Sequence, residues 1–275
     1  QASENAPLLF SGGAAWRALV GGGKFVHERA MISVVVPTLN AEAHLAETLT
    51  SLVPAAVDGL VREVIVADGG STDRTLEIAD GAGADIVKSE AGRGTQLKAG
   101  AARARFPWLL FLNADTYLDI GWEREASLHI ERVESGRRRV SAASFRFALD
   151  DEGVLPRTLE TLASLRTGLL KLPYGEQGLL ISRALYDEVD GFGALPLMED
   201  VDLVRRLGRG RIAVLNARAV TRGEHYRREG YVSRIARSQM CLGLYLIGVP
   251  VPTIANLYGR RSAPVGEPAV GRSAP

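Results

Sequence analysis

ISVVVPTLN, residues 32–40, and EVIVADGGSTDRT, residues 63–75, decide the fold. Each is a run of apolar, largely β-branched residues that ends abruptly in small and polar ones. Unbroken apolar runs of strand length read as strands covered on both faces, which is the habit of parallel sheets. Between them AEAHLAETLTSLV, residues 41–53, sets Leu45, Leu49 and Leu52 at helical spacing. DRTLEIADGAG predicts a second helix ended by glycine, and ADIVKSE a third short strand. The resulting βαβαβ order implies an α/β fold with a mainly parallel sheet, in which ligands bind beyond the carboxyl ends of the strands. Thr38, Asn40, Asp68, Gly69 and Ser71 fall there, and two such strand ends side by side make a nucleotide pocket.

A third junction, WLLFLNADT at residues 108–116, carries Asp115 out of an apolar strand after a helix expected near 93–105. GWEREASLHIERVES predicts another helix. Farther on, SAASFRFALD reads as a strand, PRTLETLASLRTGLLKL as a helix and PYGEQGLLISR as a loop running into a strand. EDVDLVRRLGRG reads as a helix with acids at its positive end, and RIAVLNARAV as the last strand.

Composition narrows the classes. At 275 residues and 46% hydrophobic, the chain can bury a substantial core. Its formal charge of +1 gives no case for wrapping nucleic acid. The single cysteine, Cys241, excludes an internal disulfide and a cysteine metal cluster, so a reducing compartment, the cytoplasm, is expected. No apolar run reaches the length of a membrane span. MCLGLYLIGVPV, from Met240, is short and is followed by Pro252 as well as broken by Pro250; burial against the sheet is expected there, with peripheral contact at the inner face of a membrane as the other reading. Residues 1–30 read as a flexible extension and 262–275 as a disordered tail. The folded domain is expected over 31–261, with a nucleotide-donor half at 31–119 and an acceptor half with C-terminal helices at 120–261.

The candidate chemistry sits at the junctions. Asp68 can accept a hydrogen bond from the imide N–H of a uracil-type base, or simply cap the turn with Ser71, while Ser71 and Thr72 are candidates to cap the next helix. SEAGRGTQLKAG, residues 89–100, sets Gly92 and Gly94 around Arg93 at a helix start, where backbone N–H groups, Arg93 and Lys98 suit a pyrophosphate. Neither GxxxxGK[ST] nor GxGxxG occurs, which disfavours ordinary NTPases and dehydrogenases. Asp115 is a hard oxygen ligand suited to Mg²⁺ or Mn²⁺ shared with donor phosphates, or a turn aspartate. Of Glu199 and Asp200, one acid can take a proton from an acceptor hydroxyl while the other orients the acceptor; helix-dipole placement is the plainer alternative. Arg146, Tyr174, Glu176 and Gln177 are expected to shape the acceptor pocket. His225, in TRGEHYRREG, follows the last strand and is either a loop histidine or part of a closure over phosphates and metal.

VVVPTLN, EVIVADGGSTDRT, GRGTQLKAG, FLNADT and MEDVDL stand in the order and approximate spacing of family 2 glycosyltransferases, and the chain resembles that family over residues 32 to about 220. PYGEQGLLISR and LPLMEDVDLVRRL, flanking Gly191 and Phe192, resemble a bacterial subgroup known as rSAM/selenodomain-associated transferase 2 or arsenosugar-biosynthesis glycosyltransferases. The resemblance implies a GT-A fold and an inverting transfer of a sugar from a nucleotide-sugar donor. It implies that Pro37, Thr38, Asn40, Glu42 and Asp68 surround the nucleoside, with Arg93 near the nucleotide; Gly69 and Lys98 join the candidate donor site on their own positions. Asp115 corresponds to the last acid of the metal-binding DxD, whose other positions are Asn113 and Ala114. Asp200 corresponds to the catalytic base, Glu199 lies beside it at the acceptor, and His225 matches a late metal ligand. The chain departs from the pattern at Asn113, which leaves one carboxylate for Mn²⁺ or Mg²⁺, and at Gly69, which replaces an acid. A small-molecule, lipid-linked or glycan acceptor is implied. A non-catalytic nucleotide-sugar binding protein and a sugar nucleotidyltransferase are the alternatives.

Overall fold

The computed structural model describes residues 31–257, without the side chains of residues 169, 170, 225, 228 and 229. The expected extension at 1–30 and tail at 262–275 lie outside the described residues. In the first half, β1 (Ile32–Thr38) leads through α1 (Leu45–Thr50) and α2 (Val53–Val57) to β2 (Val61–Asp68). Helix α3 (Thr75–Gly81) leads to β3 (Asp85–Lys88), and α4 (Arg93–Arg103) to β4 (Trp108–Phe111). The single helix expected over 41–53 is two, because Pro54 opens the second in its first turn, where a missing N–H leaves no bond unmade.

The second half adds β5 (Thr116–Leu118), α5 (Trp122–Glu134), β6 (Ala142–Asp150) and α6 (Val154–Leu170). Then come β7 (Leu179–Ser182), α7 (Arg183–Glu188), α8 (Glu199–Leu207) and β8 (Ile212–Arg222). Three helices, α9 (Glu224–Glu229), α10 (Tyr231–Leu246) and α11 (Val251–Leu257), complete the described chain. β5 and α7 were not expected; both are too short for hydrophobic periodicity to register.

All eight strands form one sheet in the order β3-β2-β1-β4-β7-β6-β8-β5. β3, β2, β1 and β4 run parallel, as the βαβαβ reading implies, whereas β7 is antiparallel to β4 and β5 is antiparallel to β8. Alternate residues of β1 serve opposite faces. Val34 and Val36 pack with Leu45, Leu49 and Trp122, and Val35 packs with Leu97, Ala101 and Leu203. Helix α4 lies close on the sheet because Gly100 carries no side chain; a Cβ there would stand 2.3 Å from Cγ1 of Val35.

Residues 240–251 correct an expectation. Helix α10 packs on α9, α11 and α6 rather than on the sheet. Cys241 and Leu242 are buried, yet Met240, Leu246 and Ile247 are 49%, 47% and 77% exposed, so the apolar run is spread around the helix and not gathered into one buried stripe. Among the described residues no helix is long and apolar enough to cross a membrane.

Candidate active site

Register builds the first wall of the site. Thr38 pairs with Asp68 across β1 and β2, so the two strands end level and their loops face each other. Asp68 is buried and its carboxylate is fully engaged: Oδ1 accepts from the hydroxyls of Thr38 (3.0 Å) and Ser71 (2.5 Å), and Oδ2 accepts from the N–H groups of Gly70 and Ser71 (both 2.9 Å). A carboxylate offers about four acceptor positions. Burial alone would raise its pKa, but these four donors outweigh burial and hold it below the usual carboxylate range.

The two loops are laced together. Asn40 takes a left-handed conformation (φ 52°), a region asparagine tolerates, and its Oδ1 accepts from the N–H of Thr72 (2.9 Å). Glu42 accepts from the N–H of Arg74 (3.0 Å) and donates its own N–H to Asp73 (3.1 Å). Ser71 and Thr72 do not cap the following helix. α3 starts later, at Thr75, and the Asp73 carboxylate receives the Thr75 N–H (3.0 Å). Gln96, which the sequence reading passed over, reaches from α4 to donate to the carbonyls of Thr38 (2.6 Å) and Ala67 (2.9 Å), pinning both strand ends.

A second wall comes from β4, whose end delivers Asn113, Ala114 and Asp115. Ala114 is tied through its carbonyl to the Thr48 hydroxyl (2.9 Å), and the Asp115 carbonyl accepts from the N–H of Arg222 (3.1 Å). Opposite stands the start of α8, entered through Met198 at φ 63°, a conformation that costs a non-glycine residue roughly 1–2 kcal/mol. That turn presents Glu199 and Asp200. Asp200 is held by the N–H of Gly175 on Oδ2 (2.6 Å) and the N–H of Val201 on Oδ1 (2.8 Å).

Arg93 joins the walls. It opens α4, and its Nε lies 2.9 Å from the nearly buried Glu199. Burial would lower its pKa, but Glu199 first, then Asp200, Glu176 and Asp115, more than compensate and keep the guanidinium charged. Gly175 leaves room for the guanidinium: a Cβ there would stand 2.0 Å from Nη2 of Arg93. Arg93, Asn113 and Asp200 line one small cavity of about 30 Å³, so the NAD segment and the ED pair are neighbours.

Beyond Asp200 a larger cavity of about 400 Å³ opens, lined by Tyr174, Glu176 and Gln177 among others. Gln177 is committed to the protein itself: Oε1 accepts from the Thr167 hydroxyl (3.0 Å) and the Tyr174 N–H (3.1 Å), and Nε2 donates to the Phe145 carbonyl (3.0 Å). Glu176 accepts from the Tyr226 hydroxyl (2.9 Å) and lies 3.6 Å from Arg234. Burial pushes its carboxyl above the usual range, and the nearby Asp115 charge adds to that, against the opposing pull of Arg234 and Arg93.

The structure therefore brings together Thr38, Asn40, Glu42, Asp68 and Gly69 on one side, and Arg93, Asn113, Glu199, Asp200, Tyr174 and Gln177 around the cavities, with Asp115 lining neither but close enough for its charge to act on Arg93 and Glu176. Pro37 is buried in β1. Lys98 is exposed on α4 and lines neither cavity, being more than a turn past Arg93 and rotated away from it. Arg146 points outward from β6, the one exposed position in that strand, and does not line the cavity as expected. His225 lies in α9, and its side chain is outside the described ones. Arg166, Tyr226 and Arg234 were missed; nothing in their local sequence distinguishes them from residues of an ordinary helix face.

This arrangement, a parallel sheet extended by antiparallel strands and flanked by helices, is the GT-A fold. The chain belongs to glycosyl transferase family 2, whose pattern matches residues 33–189. Glucosyl-3-phosphoglycerate synthase of Mycobacterium tuberculosis is 51% identical over 59 residues, which are 22% of this chain and 18% of that protein. The PGL/p-HBAD biosynthesis glycosyltransferase of Mycobacterium bovis is 35% identical over 101 residues, 32% of this chain and 36% of the relative. The chain thus matches well under two thirds of either protein's length. Among solved structures, glucosyl-3-phosphoglycerate synthase from Mycobacterium tuberculosis in complex with Mn²⁺, UDP and glucosyl-3-phosphoglycerate gives a TM-score of 0.55 at 24% identity, covering 91% of this chain and 88% of that one. S. aureus TarS in complex with UDP-GlcNAc gives 0.52 at 23% identity, covering 70% and 59%. These likenesses carry the fold.

Proposed function

We propose that this protein transfers a sugar from a UDP-sugar to a hydroxyl acceptor, inverting the anomeric centre. The observation that carries the reading is the convergence of Asp115, Glu199 and Asp200 on the Arg93 guanidinium, at the start of the helix whose Gln96 pins the ends of β1 and β2. The relatives named for UDP, UDP-GlcNAc and phosphoglycerate support the same class of donor and a small acceptor.

In this reading the uridine lies over the loops of Thr38, Asn40 and Glu42. Its imide N–H reaches Asp68 when the Ser71 hydroxyl turns away from Oδ1. Gly69 leaves room for the Gln96 side chain that pins the strand ends, and Arg93 faces the diphosphate. Asp200 removes the acceptor's proton as that oxygen attacks the anomeric carbon and the bond to the diphosphate oxygen breaks; its electron pair leaves with UDP. Glu199, fixed by Arg93, orients the acceptor. No covalent glycosyl-enzyme forms.

The donor set suits a shared divalent ion. Among the described residues no three His, Cys, Asp or Glu side chains converge on one point, so the chain offers Asp115 as its carboxylate, with Asn113 as a neutral partner. Mg²⁺ and Mn²⁺ accept one carboxylate plus phosphate oxygens and water. Asp115 and the diphosphate would hold such an ion, whose charge would neutralise the departing UDP. His225 is the candidate for a further ligand.

Calorimetric titration with UDP, GDP and dTDP, with and without Mn²⁺, tests the donor site. Expected is a preference for UDP that Mn²⁺ strengthens, and that Asp68→Ala and Asp115→Ala abolish. Equal or absent binding of all three nucleotides sinks the assignment. Pyrophosphate release from UTP and a sugar phosphate would favour a nucleotidyltransferase instead.

A further inference from the structure

Resting on the reading of Asp200 as the acceptor's base, we infer that the acceptor is a small amphiphile, a hydroxyl-bearing polar head joined to an alkyl or aryl body. The cavity of about 400 Å³ beside Asp200 has two unlike sets of lining residues. Its charged groups already answer one another. Arg93 pairs with Glu199 at 2.9 Å, Arg234 lies 3.6 Å from Glu176, and Asp200 holds two backbone N–H groups. Arg166 donates to the Leu172 carbonyl (3.0 Å) and covers the Tyr174 ring.

Much of the remaining lining is hydrocarbon, with Ser238 and Gln239 of α10 adding neutral hydrogen-bonding groups. Leu159, Leu162 and Ala163 share one face of α6 by their spacing, and Phe147, Leu197 and Ile235 complete the apolar part. Leu162 keeps 49% of its surface exposed, so the protein's own side chains leave part of this lining uncovered. A compact, multiply anionic acid would have to take an arginine from its present partner and would leave the apolar lining wet. A head that needs hydrogen bonds alone, with a hydrocarbon body, satisfies both sets without breaking an ion pair.

The test is titration of glucose, 3-phosphoglycerate and butyl, hexyl and octyl β-glucosides into the full chain, with and without UDP and Mn²⁺. Expected is an affinity that climbs along the alkyl series, by up to roughly fourfold per methylene until the cavity is filled. Hexyl glucoside should bind about tenfold or more tighter than glucose or 3-phosphoglycerate, the gain of a few buried methylenes. Leu162→Glu, at a half-exposed helix position that tolerates a charge, should flatten the series and leave UDP binding unchanged. A flat series in the unaltered protein, a series indifferent to Leu162→Glu, or tightest binding of 3-phosphoglycerate overturns the inference. UDP binding with a flat series defeats this inference alone; a steep, Leu162-dependent series without UDP binding defeats the donor assignment and leaves the amphiphile pocket standing.

Discussion

The β1–β2 loops and the corner around Glu199 and Asp200 hold their polar side chains by different means. Asp68, Asn40 and Glu42 are bound by backbone N–H groups and short hydroxyls of two adjacent loops, within one βαβ unit. Glu199, Asp200 and Glu176 depend on side chains and turns brought in from distant elements: Arg93 of α4, Gly175 before β7, Tyr226 of α9 and Arg234 of α10. The first arrangement is set once two parallel strands pair; the second exists only when most of the chain is in place. In the proposed reading, donor binding falls to the first arrangement and acceptor chemistry to the second.

The comparison is broken most severely at Asp200. Asp200→Asn should lower transfer by roughly 10²- to 10⁴-fold, the usual contribution of a positioned general base. UDP affinity should stay within a few-fold by calorimetry. Equal loss of both would make Asp200 a part of the donor site and erase the division. Asp68→Ala strikes the other half: four donors lose their acceptor, and about 3 kcal/mol of stability should go with them in urea unfolding, together with UDP binding. Gly100→Ala forces a methyl against Val35 and should cost about 2 kcal/mol by the same assay, with the acceptor cavity unchanged.

The smallest effect sharpens the contrast through pH. Because Glu176 titrates above its unfolded value, the native chain holds a proton there that the unfolded chain has already released. Stability therefore falls as pH rises from the unfolded to the folded pKa, and the penalty is complete above the folded value. Glu176→Gln should flatten that slope, read as the urea midpoint against pH. Asp68, shifted the opposite way, should contribute stability that is present above its unfolded pKa and fades as pH falls through its folded one.

What could be read from the sequence follows the same division. Buried strands advertise themselves by unbroken apolar runs, so β1, β2 and β4, and Asp68 and Asp115 at or just past the ends of two of them, are legible in the sequence. Glu199 and Asp200 were legible because an amphipathic helix follows them. Gln177 was legible as a pocket residue, but not as the knot tying Thr167, Tyr174 and Phe145, since those partners meet it only in the folded chain. Glu176 with Tyr226 and Arg234 spans 50 residues and more, and no local pattern signals such a pairing. Lys98 and Arg146 show the converse: residue type invited a role, and the geometry of a helix and a strand turned both side chains outward. The apolar run at 240–251 misled for a related reason, because its composition is that of a core helix while its residues are spread around the axis.

Strand β5 has a consequence for how the molecule is made. The Asp115 segment is closed by Thr116 pairing with Thr221, 105 residues later, and by the Arg222 N–H on the Asp115 carbonyl. A chain that lacks β8 keeps both partners of the β1–β2 pairing but leaves residues 116–118 with no strand to pair with. A nascent chain arrested before residue 212 should therefore protect its amides in β1 and β2 from exchange, but not those of residues 116–118.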